Sequence, residues 1–234
     1  MARDSIESDA SKAIWKVTSR GLSFSRFAST WYQTFVQPAE ASQKVVEVPL
    51  DYDLKFAVNV PPQLRDRVKQ QTDVFFVGDC LEGLVKEAQR DLVIISPYFD
   101  EASILIMSKA NVQNVKVRVL TAEILDSRTG RIDERHVSTL KKYRSLFPQF
   151  ECRVFSKYEV QNPGSQGLSQ TFISHAKTYI ADSKRMLVTS ANLKATSLIW
   201  NFEVGVYTDN PELLRQALAV FTIIWENSTV PAWI

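Results

Sequence analysis

"SHAKTYIADSKRMLVTSAN", residues 174–192, sets a histidine, a lysine, a serine and an asparagine into two short apolar runs joined by a polar turn. The Phe, Ile and Tyr content of residues 172–181 predicts a strand there, and on a strand His175 and Lys177, two apart, leave the same face. Ser190 and Asn192 repeat that spacing on the next run. A hairpin turning through Asp182, Ser183, Lys184 and Arg185 brings the two pairs side by side. The result is an anion site that contains a nucleophile. The chain has only two histidines, and the other is His136.

Composition narrows what surrounds this hairpin. With 234 residues, 45% of them hydrophobic, the chain can bury a full core. The formal charge of +2 hides an uneven distribution: residues 109–157 hold eleven Lys/Arg against five Asp/Glu, an excess that suits a polyanionic partner if it folds beside the hairpin. The alternative is a solvated helix face over residues 133–147. Cys80 and Cys152 are too few and too distant for a disulfide framework or a CxxC zinc site, so both read as buried free thiols. The N-terminus is polar where a signal peptide needs an apolar core, and no apolar run of about eighteen residues occurs, which predicts a soluble, cytoplasmic protein. Neither GxxxxGK nor GxGxxG is present, and the seven glycines argue against a nucleotide cofactor.

The remainder reads as an α/β chain with an N-terminal, partly helical extension. Trp15, Phe24, Phe27, Trp31, Tyr32 and Phe35 fit an amphipathic helix over residues 10–37, broken near Gly21. A boundary near residue 70 separates this extension (1–70) from a main domain (71–234). Helices are expected at 79–90, 101–110, 133–147 and from Pro211, capped by Asn210. Strands are expected at "DLVIISPYF", "VKVRVLTA", "FECRVF" and "FEVGVYT", with residues 156–170 a polar loop whose "QNPGSQGLSQ" could serve as a lid. Continuous apolar strands between helices imply a mixed β-sheet sandwiched between helices.

Read in full, the central segment runs His175-x-Lys177, four residues, Asp182, six residues, Thr189-Ser190-x-Asn192, with Glu203 eleven beyond the asparagine. This resembles the His-x-Lys-x4-Asp-x6-Gly-Ser-x-Asn signature of the phospholipase D superfamily, with Thr189 where that family usually has glycine. The resemblance implies the superfamily's fold and a phosphodiesterase without metal or cofactor. Neutral His175 would attack phosphorus and form a phosphohistidine. Lys177 and Asn192, helped by Ser190, would hold the non-bridging oxygens, and Glu203 would orient the ring. Asp182 more plausibly shapes the turn than touches substrate.

The leaving oxygen still needs a proton, and the superfamily supplies it from a second motif that this chain lacks. His136 lies in "RHVSTLKK", a helix start with no His-x-Lys pattern. A homodimer placing one His175 on each side of a shared cleft is what the resemblance implies. The favoured substrate is nucleic acid, DNA before RNA, with a membrane partner disfavoured. The alternatives are a phospholipid hydrolase or transphosphatidylase, and a nucleic-acid-binding subunit whose turnover is disabled. Tyr98 stands where a strand-end residue could line the cleft, although a core tyrosine accounts for it equally well.

Overall fold

The structure, a computed structural model, describes residues 53–125, 131–160 and 168–234. The amphipathic stripe expected over residues 10–37 lies outside them.

Apolar runs rich in Val, Ile and Leu supply the strands at the centre. They are β3 (Asp91–Ile95), β4 (Lys116–Thr121) and β5 (Phe150–Val154), paired in parallel, and the antiparallel hairpin β8 (Thr178–Ala181) and β9 (Arg185–Thr189). With β1 (Leu54–Asn59), β2 (Phe75–Phe76) and β10 (Glu203–Thr208) they form one eight-stranded mixed sheet of order β2-β1-β10-β9-β8-β3-β4-β5. β1 is hydrogen-bonded along its whole length to β10, so the sheet takes in residues before the boundary expected near 70. The double proline that suggested this boundary instead opens α1 (Pro62–Gln71), where proline at the first turn forfeits no helical hydrogen bond.

One face of the sheet is covered by α2 (Val77–Glu87), α3 (Glu101–Met107) and α4 (Glu134–Leu146). α2 shows why: Val77, Cys80, Leu81, Leu84 and Val85 fall on one stripe and are all buried. Both cysteines are buried and free, and burial pushes the Cys80 thiol up to about 11 and that of Cys152 to about 12. The other face carries α5 (Pro211–Glu226), packed through Leu214 and Phe221 on Val93, Leu120, Ile180 and Met186. Asn210 caps α5 by accepting from the backbone N–H groups of Glu212 and Leu213.

The expected mixed sheet flanked by helices is present; among the described residues, the face shared with α5 leaves Val188, Val204, Val206, Leu54 and Phe56 exposed across β9, β10 and β1. One expectation changes: the stretch 156–170 is not simply a loop. β6 (Ser156–Val160) and β7 (Leu168–Ile173) pair antiparallel in a separate ribbon, and the lid segment between them, residues 161–167, lies outside the described residues.

Candidate active site

The hairpin is set by its turn. Asp182 and Ser183 both adopt positive φ (54° and 58°), the pair of left-handed residues that a tight hairpin favours, and the Lys184 N–H closes it on the Ala181 carbonyl. The Asp182 carboxylate then accepts from the backbone N–H groups of Gln89, Arg90 and Asp91, at 2.9, 2.8 and 2.9 Å. Partial burial works to raise its pKa, but those three donors outweigh it and hold the carboxyl below its usual range. Asp182 thus ties the hairpin to the start of β3, at the sheet edge opposite His175.

A single strand over residues 172–181 does not form. β7 ends at Ile173, residues 174–177 cross without strand pairing from the ribbon to the sheet, and β8 begins at Thr178. The crossing has a cause: the Ser174 N–H is held by the Phe155 carbonyl, whereas the Lys177 carbonyl already accepts from Thr189 in the sheet. His175 is exposed on this crossing and Lys177 is 7% exposed, yet the two side chains meet. Lys177 Nζ lies 3.0 Å from His175 Nδ1 and 3.1 Å from Nε2, and donates to the His175 carbonyl at 2.7 Å.

Opposite them, β9 stops at Thr189, so Ser190 and Asn192 follow the strand rather than lie on it. Ser190 Oγ donates to Glu203 Oε2 at 2.5 Å and accepts from the Val204 N–H at 3.1 Å. Asn201 Nδ2 donates to the other Glu203 oxygen at 3.1 Å. Glu203, 8% exposed, therefore has both oxygens engaged by Ser190 and Asn201, and the ring it was expected to orient is held by Lys177 instead. Glu203 acts on that lysine through space: burial lowers the Lys177 pKa and the carboxylate partly restores it. The Asn192 amide oxygen is buried with no hydrogen-bond partner among the described residues.

Thr189 does not crowd this cluster. Its hydroxyl donates to the Val204 carbonyl at 2.8 Å and accepts from the Ala191 N–H at 3.1 Å, and its side chain stands opposite Gly205 of β10. A Cβ on Gly205 would lie 2.9 Å from Thr189 Cβ and 2.7 Å from the Val188 carbonyl oxygen. The bulk absent at 205 makes room for the bulk at 189.

His136 is 2% exposed on α4, beside Phe99 and Trp233, and burial lowers its pKa to about 4. It is a neutral core residue. Of the basic residues in 109–157, Lys109, Lys116, Arg118 and Lys142 pair with Glu82, Glu151, Asp91 and Glu101, and Lys116 and Arg118 stand at the end of the sheet away from His175.

Side chains at the site that the sequence reading passed over include Asn201, Asn59 and Lys194. Asn59, on β1 opposite Glu203, donates to the carbonyls of Ser197 and Asn201 and fixes the single π-helical turn Thr196–Trp200. Only the separation of Asn201 from Glu203, two residues, hinted at any of this.

A family model described as "Cardiolipin synthase, PLD-like domain" matches residues 81–225. The "Probable cardiolipin synthase YwiE" of Bacillus subtilis (strain 168) is 27% identical over 149 residues, 62% of this chain but 26% of that protein, so the chain spans about a quarter of the curated relative's length. Among solved structures, NucT from Helicobacter pylori superposes with a TM-score of 0.52 at 18% identity, covering 76% of this chain and 100% of its own. Nuc from Salmonella typhimurium, described as a phospholipase D family member, gives a TM-score of 0.52 at 14% identity over 76% of this chain and 97% of its own. With a match across more than half of the sequence that takes in the whole span from His175 to Glu203, this chain belongs to the phospholipase D superfamily.

Proposed function

We propose that the chain is a metal-independent phosphodiesterase that cleaves nucleic acid through a phosphohistidine at His175, working as a homodimer. The observation that carries this reading is the contact between exposed His175 and buried Lys177, beside the Ser190–Glu203–Asn201 network. A ring nitrogen of neutral His175 attacks phosphorus, and the P–O bond to the leaving alkoxide breaks. Lys177 and Asn192 stabilise the charge that builds on the non-bridging oxygens. The alkoxide takes a proton from the imidazolium of His175 of the partner subunit. Water then attacks the phosphohistidine, giving its proton to that same imidazole as the P–N bond breaks. Glu203 keeps Lys177 and the ring cluster from accumulating unbalanced positive charge.

Two features support a second copy. Buried His136 is the only other histidine. Among the described residues, an apolar face across β9, β10 and β1 is left exposed, and a face of this kind is what a second subunit covers. For substrate, Lys194 follows Asn192 by two residues and has no carboxylate partner among the described residues, which favours a polyanion. A phospholipid substrate is the second reading. It is favoured by Ile199, Trp200 and Phe202, the last 69% exposed, which stand beside Glu203 where a bilayer surface could meet them.

Incubation with single-stranded DNA, plasmid, RNA and phosphatidylcholine vesicles, each with excess chelator, separates the readings. The expected outcome is nucleic-acid cleavage that persists in chelator and falls by about 10³-fold or more in His175→Ala. Headgroup release from vesicles with intact DNA would favour the second reading. Cutting that the chelator stops would overturn the metal-independent mechanism.

A further inference from the structure

Tyr98 and Lys194 are joined by the structure although they are far apart in the chain. β3 ends at Ile95, which pairs with Thr178 of β8, so the residues after it enter the same sheet edge as Lys177. Ser96 Oγ donates to the Tyr98 carbonyl at 3.1 Å, Phe99 bridges to Leu193, and the Asp100 N–H donates to the Leu193 carbonyl at 3.1 Å. The Asp100 carboxylate also accepts from the Ala195 N–H at 2.9 Å, so the segment carrying Lys194 is pinned on both sides. At its other end the Lys194 N–H donates to the Asn192 carbonyl at 2.8 Å. Lys194 Nζ then lies 5.4 Å from the centroid of the half-buried Tyr98 ring. An aromatic ring and a cation without a carboxylate partner among the described residues are therefore held together, two residues from Asn192.

We infer that Tyr98 and Lys194 form a seat for one unpaired nucleotide beside the scissile phosphate, the ring taking the base and the ammonium its neighbouring phosphate. The inference rests on the nuclease reading above and deepens it by naming single-stranded nucleic acid as the substrate class. A base inside a duplex already has both faces stacked and cannot use the ring, whereas an unpaired base of any identity can. The ammonium over the ring also sets the sign of the ligand. It repels a quaternary-ammonium headgroup, which would otherwise be the natural occupant of an aromatic surface, and attracts a phosphodiester.

The test uses the full chain carrying His175→Ala, so that nothing is cut. Binding is followed by fluorescence anisotropy with a labelled single-stranded oligonucleotide, the same strand with abasic sites, and the duplex. The base-bearing strand is expected to bind about ten-fold more tightly than the abasic one. Adding Tyr98→Ala removes that ratio, and Tyr98→Phe, which keeps the ring, retains it. Adding Lys194→Ala lowers the salt slope of log affinity by about 0.7, the loss of one phosphate contact on a single strand. Equal affinity for abasic and base-bearing strands, an unchanged ratio in Tyr98→Ala, or tighter binding of duplex would overturn the seat. A wild-type chain that cuts nothing would remove the nuclease reading, while the binding ratio would still decide this one.

Discussion

Lys177 sets the alkaline limit of the proposed chemistry, because only its protonated form can hold phosphate oxygens. Burial lowers its pKa and Glu203 partly restores it, so Glu203→Gln should move the alkaline limb of the pH–rate profile to lower pH. A profile that keeps its alkaline limb in Glu203→Gln would show that the carboxylate does not act on Lys177. His136 makes an opposite, structural prediction. Its folded pKa of about 4 lies below the unfolded value, so its neutral burial contributes stability that is present above about pH 6.5 and lost as pH falls toward 4. The ceiling on that loss is about 3 kcal/mol. Urea unfolding between pH 7 and 4 should show His136→Phe losing less stability than the wild type. At this scale the sequence was informative about Asp182 at the turn and about the proximity of His175 and Lys177, although those two meet on the crossing before β8 and not on a strand. It was silent on Glu203's partners, because Ser190 and Asn201 approach it through a register that spacing alone does not set.

Among the elements, the β9–β10 pairing carries the exchange of Thr189 for the family's usual glycine. Gly205→Ala should destabilise the fold by about 1–3 kcal/mol, because its Cβ meets the Val188 carbonyl as well as Thr189. A mutant with an unchanged denaturation midpoint would mean that the two strands can spread. The hairpin turn gives a second check. Asp182→Ala strips three backbone N–H groups of their acceptor and should cost about 2 kcal/mol, whereas Asp182→Asn keeps a residue that tolerates positive φ and should cost less. Apolar periodicity made α2 and the central strands readable to within a few residues. The break between β7 and β8 was hidden because residues 172–181 have strand composition throughout; it is the hydrogen bond from Ser174 to Phe155, a distant residue, that pulls the chain out of line. The same reasoning explains the polar stretch after β5, whose pairing as β6 and β7 depends on a partner and not on its own hydropathy.

For the whole molecule, the proposed mechanism needs a second copy of His175, and the apolar face that the described residues leave exposed across β9, β10 and β1 is the surface proposed to bring it. Val206→Glu, at the middle of that face, should yield monomers by sedimentation and lose activity together with dimerisation. A fully active monomer would contradict the shared cleft. Regional charge was the least reliable guide at this scale: Lys109, Lys116, Arg118 and Lys142 are each met by an acid, because charge counted along the chain ignores which strand end each residue reaches. The measurement that tests the central claim most directly is trapping of the covalent intermediate. Wild-type chain and a labelled oligonucleotide, mixed in chelator and quenched in base, should give a phosphoryl adduct on the peptide containing His175, at one label per two chains. Cleavage that proceeds with no adduct at His175, or with the label on another residue, would contradict it.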